Sequence, residues 1–152
     1  VTGGGATIDG DPSQAWIFAS HPFDGGDRKS KPDDGWRIAA TNVLGTLDKN
    51  LTVHAICRPG RFVYCRADTN INGLSAIGVG DACPLGSTPG AVLSSGARML
   101  KPGQDSRIGG LYPLDNAITD IDTAPDDQAF AEVENNRKIS VEFDYYAIHQ
   151  RP

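Results

Sequence analysis

The sequence predicts an all-β fold, a β-sandwich or small barrel built from two pseudo-repeats. Three observations carry that prediction. The stretch Ile139–His149 alternates strictly, with Ile139, Val141, Phe143 and Tyr145 on one side and Ser140, Glu142, Asp144 and Tyr146 on the other. Such period-two alternation marks a half-buried strand. Short apolar runs are punctuated by 18 glycines and 10 prolines, a pattern of turns between strands rather than of helices. Finally, pieces of the first half recur in the second at a nearly constant spacing.

In chain order, a turn-rich start leads to a first strand at Ala15–Ala19. A polar loop, Asp24–Asp34, separates it from a second at Trp36–Asn42. The third, Leu51–Cys57, sets Leu51, Val53, Ala55 and Cys57 on one face, and Arg61–Arg66 is a short fourth. Ala67–Gly90 is rich in Gly, Asn and Ser and has little periodicity. Ala91–Leu100, Ser106–Leu114 and Ala129–Val133 precede the last strand, Ile139–His149. Asp126–Val133 has a helical composition, but its alternation suits a strand as well.

The recurrence is specific. Gly5-Ala6 returns as Gly96-Ala97, 91 positions later, and at the same offset Ile17, Pro22 and Asp24 meet Ile108, Pro113 and Asp115. His21-Pro22-Phe23-Asp24 thus matches Tyr112-Pro113-Leu114-Asp115. Asn42 meets Asn135 at offset 93, and Ala55-Ile56 meets Ala147-Ile148 at 92. The expected organisation is one β domain over 1–152, with repeat one at 1–58, a connecting segment at 59–82 and repeat two at 83–150. The proline of each corner cannot donate to a ladder, so it should end its strand or lie at an edge.

The net charge of −5 and the scattered basic residues argue against a nucleic-acid surface. Only Arg28, Lys29 and Lys31 cluster, within a polar loop. No apolar run is long enough for a membrane span. The opening Val1-Thr2-Gly3-Gly4-Gly5 has no initiator Met and reads as a processed or truncated end.

The three cysteines are Cys57, Cys65 and Cys83. At the repeat offset the counterpart of Cys83 falls before Val1, and the counterpart of Cys57 is His149. The pairings open to the visible thiols are Cys65–Cys83 and Cys57–Cys65, and an odd count also allows a free thiol. No Cys/His spacing supports zinc.

Gly3-Gly4-Gly5, Ser20-His21-Pro22, Gly35-Trp36 and Val53-His54-Ala55-Ile56-Cys57, with Cys83-Pro84-Leu85-Gly86 ahead of the second half, resemble a module of bacterial secreted and surface proteins. The resemblance covers about residues 1–58 and, in degraded form, 83–149. In the second half Ser94-Ser95-Gly96 replaces the glycines, Phe130 stands near the Trp36 position and His149 replaces the cysteine. The resemblance implies an extracellular or cell-surface setting rather than a particular activity.

For chemistry, Asp68-Thr69-Asn70-Ile71-Asn72-Gly73 follows the start of a calcium loop, in which oxygens at alternate positions converge on a hard cation. Asp68, Asn70 and Asn72, with Asp81 further on, are the candidate ligands. Val79 stands where a bidentate Glu belongs, and an Asx-rich turn explains the same residues. Asp120, Asp122, Asp126 and Asp127 form a second acidic group that reads equally as solvated loop carboxylates. His21, at a corner equivalent to Tyr112, suggests aromatic packing. No Gly-x-Ser-x-Gly elbow or phosphate loop occurs, so no active site is predicted.

Binding is the better reading. Trp36 and Tyr145 are expected to be buried, and Trp16 and Tyr146 to be exposed. With Asp144 as a hydroxyl acceptor, Trp16 and Tyr146 are the candidate ligand-binding residues for stacking on a sugar ring. The expected function is a non-catalytic extracellular binding or adhesion module for carbohydrate or a cell-surface polymer, without a cofactor or with calcium. The alternatives are an oligomeric structural subunit of a surface assembly and a secreted hydrolase or protein inhibitor.

Overall fold

The computed structural model describes residues 1–11, 13–25, 34–43, 48–80, 91–100, 105–114 and 128–151. Cys83, Asp81, the acidic group Asp120–Asp127 and the cluster Arg28–Lys31 lie outside them. The described residues contain no helix, so none that is long and apolar enough to cross a membrane. They form ten strands: β1 (Gly3–Ile8), β2 (Ala15–Phe23), β3 (Gly35–Asn42), β4 (Leu51–Ile56), β5 (Phe62–Ile71), β6 (Ser75–Gly80), β7 (Val92–Met99), β8 (Ser106–Leu114), β9 (Gln128–Asn135) and β10 (Val141–Gln150).

All strand pairs are antiparallel. A five-stranded sheet runs β3-β2-β7-β10-β5, a three-stranded sheet β6-β9-β8, and β1-β4 form a separate ribbon. The sheets are open and packed together, so of the two expected architectures the closed barrel is overturned. The core lies where the larger sheet meets the smaller. Phe143, Tyr145 and Ala147 of β10 meet Ala129, Ala131 and Val133 of β9, with Ile71, Ala97 and Met99 around them. Fully burying a side chain such as Phe143 or Ile71 contributes about 1.5–3 kcal/mol. Small alanines on β9 leave room for the large rings of β10, so the two sheets interlock.

β10 departs from its expected half-exposed pattern. Asp144 is 0% and Tyr146 6% exposed. The strand is central, paired with β5 on one edge and β7 on the other, and its polar side is roofed by long side chains from both neighbours. The expectation that Tyr146 is exposed is therefore overturned, whereas Trp36 and Tyr145 are buried as expected.

The stretch Ala67–Gly90 differs from its aperiodic reading in its described part, which holds the end of β5 and all of β6, joined by a turn at Asn72-Gly73-Leu74. Leu74 takes φ 54, an uncommon value for a residue with a side chain. A Cβ on Gly73 would lie 2.6 Å from the Lys138 carbonyl carbon, so only glycine admits this close approach of two turns.

The two halves share a pairing scheme. Gly3↔Ile56 and Ala6↔Val53 in β1–β4 have counterparts in Ser94↔Ile148 and Ala97↔Tyr145 in β7–β10. Ala15↔Asn42 and His21↔Arg37 in β2–β3 have counterparts in Ser106↔Asn135 and Tyr112↔Phe130 in β8–β9. Even the irregularity recurs, between Ile17 and Ala19 and again between Ile108 and Gly110. Pro113 lies on an edge strand, and Pro22 lies beyond Ser20, where the pairing of β2 with β7 stops. Both placements fit a residue with no N–H to give.

Candidate functional site

Among the described residues, two concave sites bear on function, and they share no residue. The larger, about 670 Å³, is a cleft where the start of β2 faces the three-stranded sheet. Its apolar walls include Ile8, Ile77 and Ile108, and its polar groups are Arg107, Glu132 and Glu134. Trp16 of β2 is half-buried in this wall. The Arg107 guanidinium carbon lies 5.8 Å from the Trp16 ring centroid, within cation–π reach. Arg107 is fixed by an ion pair from its Nε to Glu134. That bond holds the Glu134 carboxyl below its ordinary range and raises the Arg107 guanidinium above its own. Glu132 accepts a 2.9 Å hydrogen bond from the Tyr112 hydroxyl. The Trp16 Nε1 is buried with no hydrogen-bond partner among the described residues. Buried donors are nearly always paired, so an orphan N–H at a cleft wall calls for an acceptor.

Alternation explains why these groups converge. Glu132 and Glu134 are two apart on β9, and the residues that alternate with them, Ala131 and Val133, turn into the core. Arg107 faces Glu134 across the β8–β9 ladder. The sequence pattern Gln128–Asn135 contained this signal, but the pairing of β8 with β9 was needed to join it to Trp16.

The smaller cavity, about 340 Å³, lies over the polar side of β10 and includes His21, Arg37, Tyr64, Arg66, Arg98 and Tyr146 in its wall. Asp144 is wholly buried below it. Arg66 reaches Asp144 Oδ1 through Nε at 3.0 Å and Nη2 at 2.8 Å. Arg98 reaches Oδ2 through Nε at 2.9 Å and through Nη2. The Tyr146 hydroxyl donates to Oδ2 at 3.4 Å, and the ring of His21 stacks on Tyr146 at 5.0 Å. Burial first, then the charge of Asp144, pushes the Tyr146 phenol above its ordinary range.

The candidate ligand residues are thus divided. Trp16 stands in the larger cleft, Tyr146 in the wall of the smaller cavity, and Asp144 is an internal counter-ion with both oxygens occupied. Asp144 as an open hydroxyl acceptor is overturned, because two guanidinium groups already hold it. The stacking expected of His21 is present, with Tyr146 as its partner.

The calcium candidates do not form a loop. Asp68 and Asn70 lie on β5 and are exposed, and Asn72 is in the turn that follows. Extended backbone sets alternate residues nearly 7 Å apart along the strand, so their oxygens do not wrap around one cation. The Asn72 backbone carbonyl accepts from Ser75 Oγ at 2.7 Å and Asn135 Nδ2 at 3.1 Å, so this oxygen is engaged within the protein. Among the described residues no three His, Cys, Asp or Glu side chains gather as a metal site. Cys57 is exposed and free, and Cys65 is buried in the core.

No family model matches this chain, and no curated protein or solved structure matches it.

Proposed function

We propose that the chain is a non-catalytic extracellular binding module that takes a carbohydrate or cell-surface polymer in the Trp16 cleft. The observation that carries this reading is a half-exposed indole whose N–H has no partner among the described residues, set beside Arg107, Glu132 and Glu134 in a largely apolar recess. A sugar offers C–H faces to the ring and hydroxyls to the carboxylates and the orphan donor. The matched registers and matched irregularity of the two halves support an internal duplication, with repeats at 1–58 and 83–150. Cys57 is free, and the Cys65 sulfur is buried and engaged, which supports a Cys65–Cys83 disulfide. Such a bond suits an oxidising setting.

A glycan array run with and without calcium tests the function, followed by titration of the intrinsic fluorescence. Trp36 is buried, so quenching by a ligand reports on Trp16. Calcium-independent binding is expected. Trp16→Ala should weaken it by about tenfold, the value of a stacked aromatic contact, and leave the melting transition in place. A blank array retires the reading.

A second reading, a subunit of a strand-paired assembly, is favoured by β4. Every residue of β4 is exposed, including Leu51, Val53 and Ile56 at 40%, 46% and 62%. The equivalent strand in the other half, β10, has its corresponding edge covered by β5. Among the described residues β4 pairs with β1 alone, and an edge of this kind is a template for pairing. The occupant on this reading is β4 of a second copy, antiparallel about a two-fold axis. Sedimentation velocity should find a dimer that Val53→Lys dissociates. A monomer at all concentrations removes the reading.

A further inference from the structure

The smaller cavity has a charge that the fold does not consume. The chain carries −5 overall, yet three guanidinium groups, from Arg37, Arg66 and Arg98, converge on this cavity. Among the described residues, Asp144 below and Asp24 in the wall face them, and the exposed Asp68 also acts on Arg66, so the lining itself holds more guanidinium than carboxylate groups. Arg66 and Arg98 each spend Nε and Nη2 on Asp144, so their Nη1 donors stand outside that pairing. Arg37 is exposed on β3, directly opposite His21 in the ladder.

His21 supplies the second observation. It is 3% exposed, and its Nδ1 donates to the Pro22 carbonyl at 2.7 Å. That bond fixes the neutral tautomer with a bare Nε2, and Nε2 has no partner among the described residues. Its ring is pinned against Tyr146, so it does not turn away to find one. A bare imidazole nitrogen is an acceptor, so beside these arginines it bonds an oxoanion by first taking a proton from solvent and then donating it.

We propose that this cavity binds a small oxoanionic group, a carboxylate, sulfate or phosphate, through Arg37, Arg98 and Arg66 with His21 at its edge. Guanidinium forks match planar and tetrahedral oxoanions and hold them through charge-assisted bonds. The partially enclosed wall lowers the local dielectric and strengthens that attraction. The site is separate from the Trp16 cleft and stands whether or not that cleft takes a sugar. Burial, and then the charges of Arg98 and Arg37, keep the His21 imidazole below its ordinary range, against an upward pull from its Pro22 bond and Asp144. A bound anion adds negative charge, so it raises that value, and Nε2 takes up a proton from solvent and donates it to the anion. Affinity therefore strengthens as the pH falls through the His21 transition.

The test is calorimetry of the intact chain with acetate, sulfate and inorganic phosphate in turn, in chloride-free buffer, with NMR titration of the His21 ring. Saturable binding is expected, with the His21 transition displaced upward. The preferred anion among the three separates a carboxylate-bearing source from a sulfate or phosphate ester. Arg37→Gln should weaken binding by about tenfold with an unchanged melting temperature, because Arg37 lies outside the Asp144 network. His21→Phe keeps the stacking on Tyr146 and should remove the pH dependence. Absence of saturable binding by all three anions, or binding that Arg37→Gln leaves untouched, overturns the proposal.

Discussion

Arg98→Met is expected to destabilise the fold by about 3 kcal/mol or more, the usual loss when a buried ion pair is broken from one side. The reason lies with Asp144, which is 0% exposed and carries its charge inside the sheet. Each oxygen has its own guanidinium, Oδ1 from Arg66 and Oδ2 from Arg98. Without Arg98, Oδ2 keeps only the long bond from the Tyr146 hydroxyl. Arg66→Met should do less harm, because its side chain is 56% exposed against 33% for Arg98, and water screens that bond more. The loss in Arg98→Met is chiefly the stranded carboxylate. Asp144→Leu in the Arg98→Met background should therefore restore a large part of the stability, since no uncompensated charge then remains inside. Urea denaturation of the two single variants and the double, with unchanged m-values, measures the coupling. A double variant no more stable than Arg98→Met would refute this account of the site.

That network also marks how far the sequence could be read. The alternation of Ile139–His149 located what became an interior strand of the larger sheet. Alternation alone could not say that its polar side would be covered. Arg66 and Arg98 are far from Asp144 in the chain, and only the register that sets Arg66 opposite Tyr146 and Arg98 opposite Asp144 brings them over the carboxylate. Similarly, β6 was illegible in Ser75–Gly80 because alternating small residues carry little hydrophobic contrast. The repeated offsets were more informative. They matched Asn42 to Asn135 but named no partner strand, and the registers Ala15↔Asn42 and Ser106↔Asn135 come from the structure alone, since neither pairing leaves a local signature. The Trp16 site was half legible. The aromatic was identifiable, but Arg107, Glu132 and Glu134 needed the packing of one sheet against another.

Asn135→Ala is expected to cost about 3 kcal/mol, since several buried groups lose partners at about 1–3 kcal/mol each. Asn135 is 0% exposed. Its Nδ2 faces the carbonyls of Ile71 at 3.3 Å, Asn72 at 3.1 Å and Ile139 at 2.9 Å. Its Oδ1 accepts from the Arg137 N–H at 3.1 Å and from Ser106 Oγ at 3.4 Å. One amide thus joins the β5–β6 turn, the β9–β10 turn and the start of β8. Asn42, matched to it at the offset of 93, is instead exposed at the far end of β3. The loss should also be local before it is global. The amides of Arg137 and of Leu74, which donates to the Arg137 carbonyl at 2.8 Å, should exchange faster in the variant. Those of the β2–β3 ladder should keep their native-state protection at low denaturant. Asn135→Asp separates bonding from shape, because it keeps the volume, removes both N–H donors and adds a buried charge. It should be at least as destabilised as Asn135→Ala at neutral pH. A loss below about 1 kcal/mol in Asn135→Ala, the scale of one ordinary hydrogen bond, would mean that water replaces the amide and that the three segments are held together by packing instead.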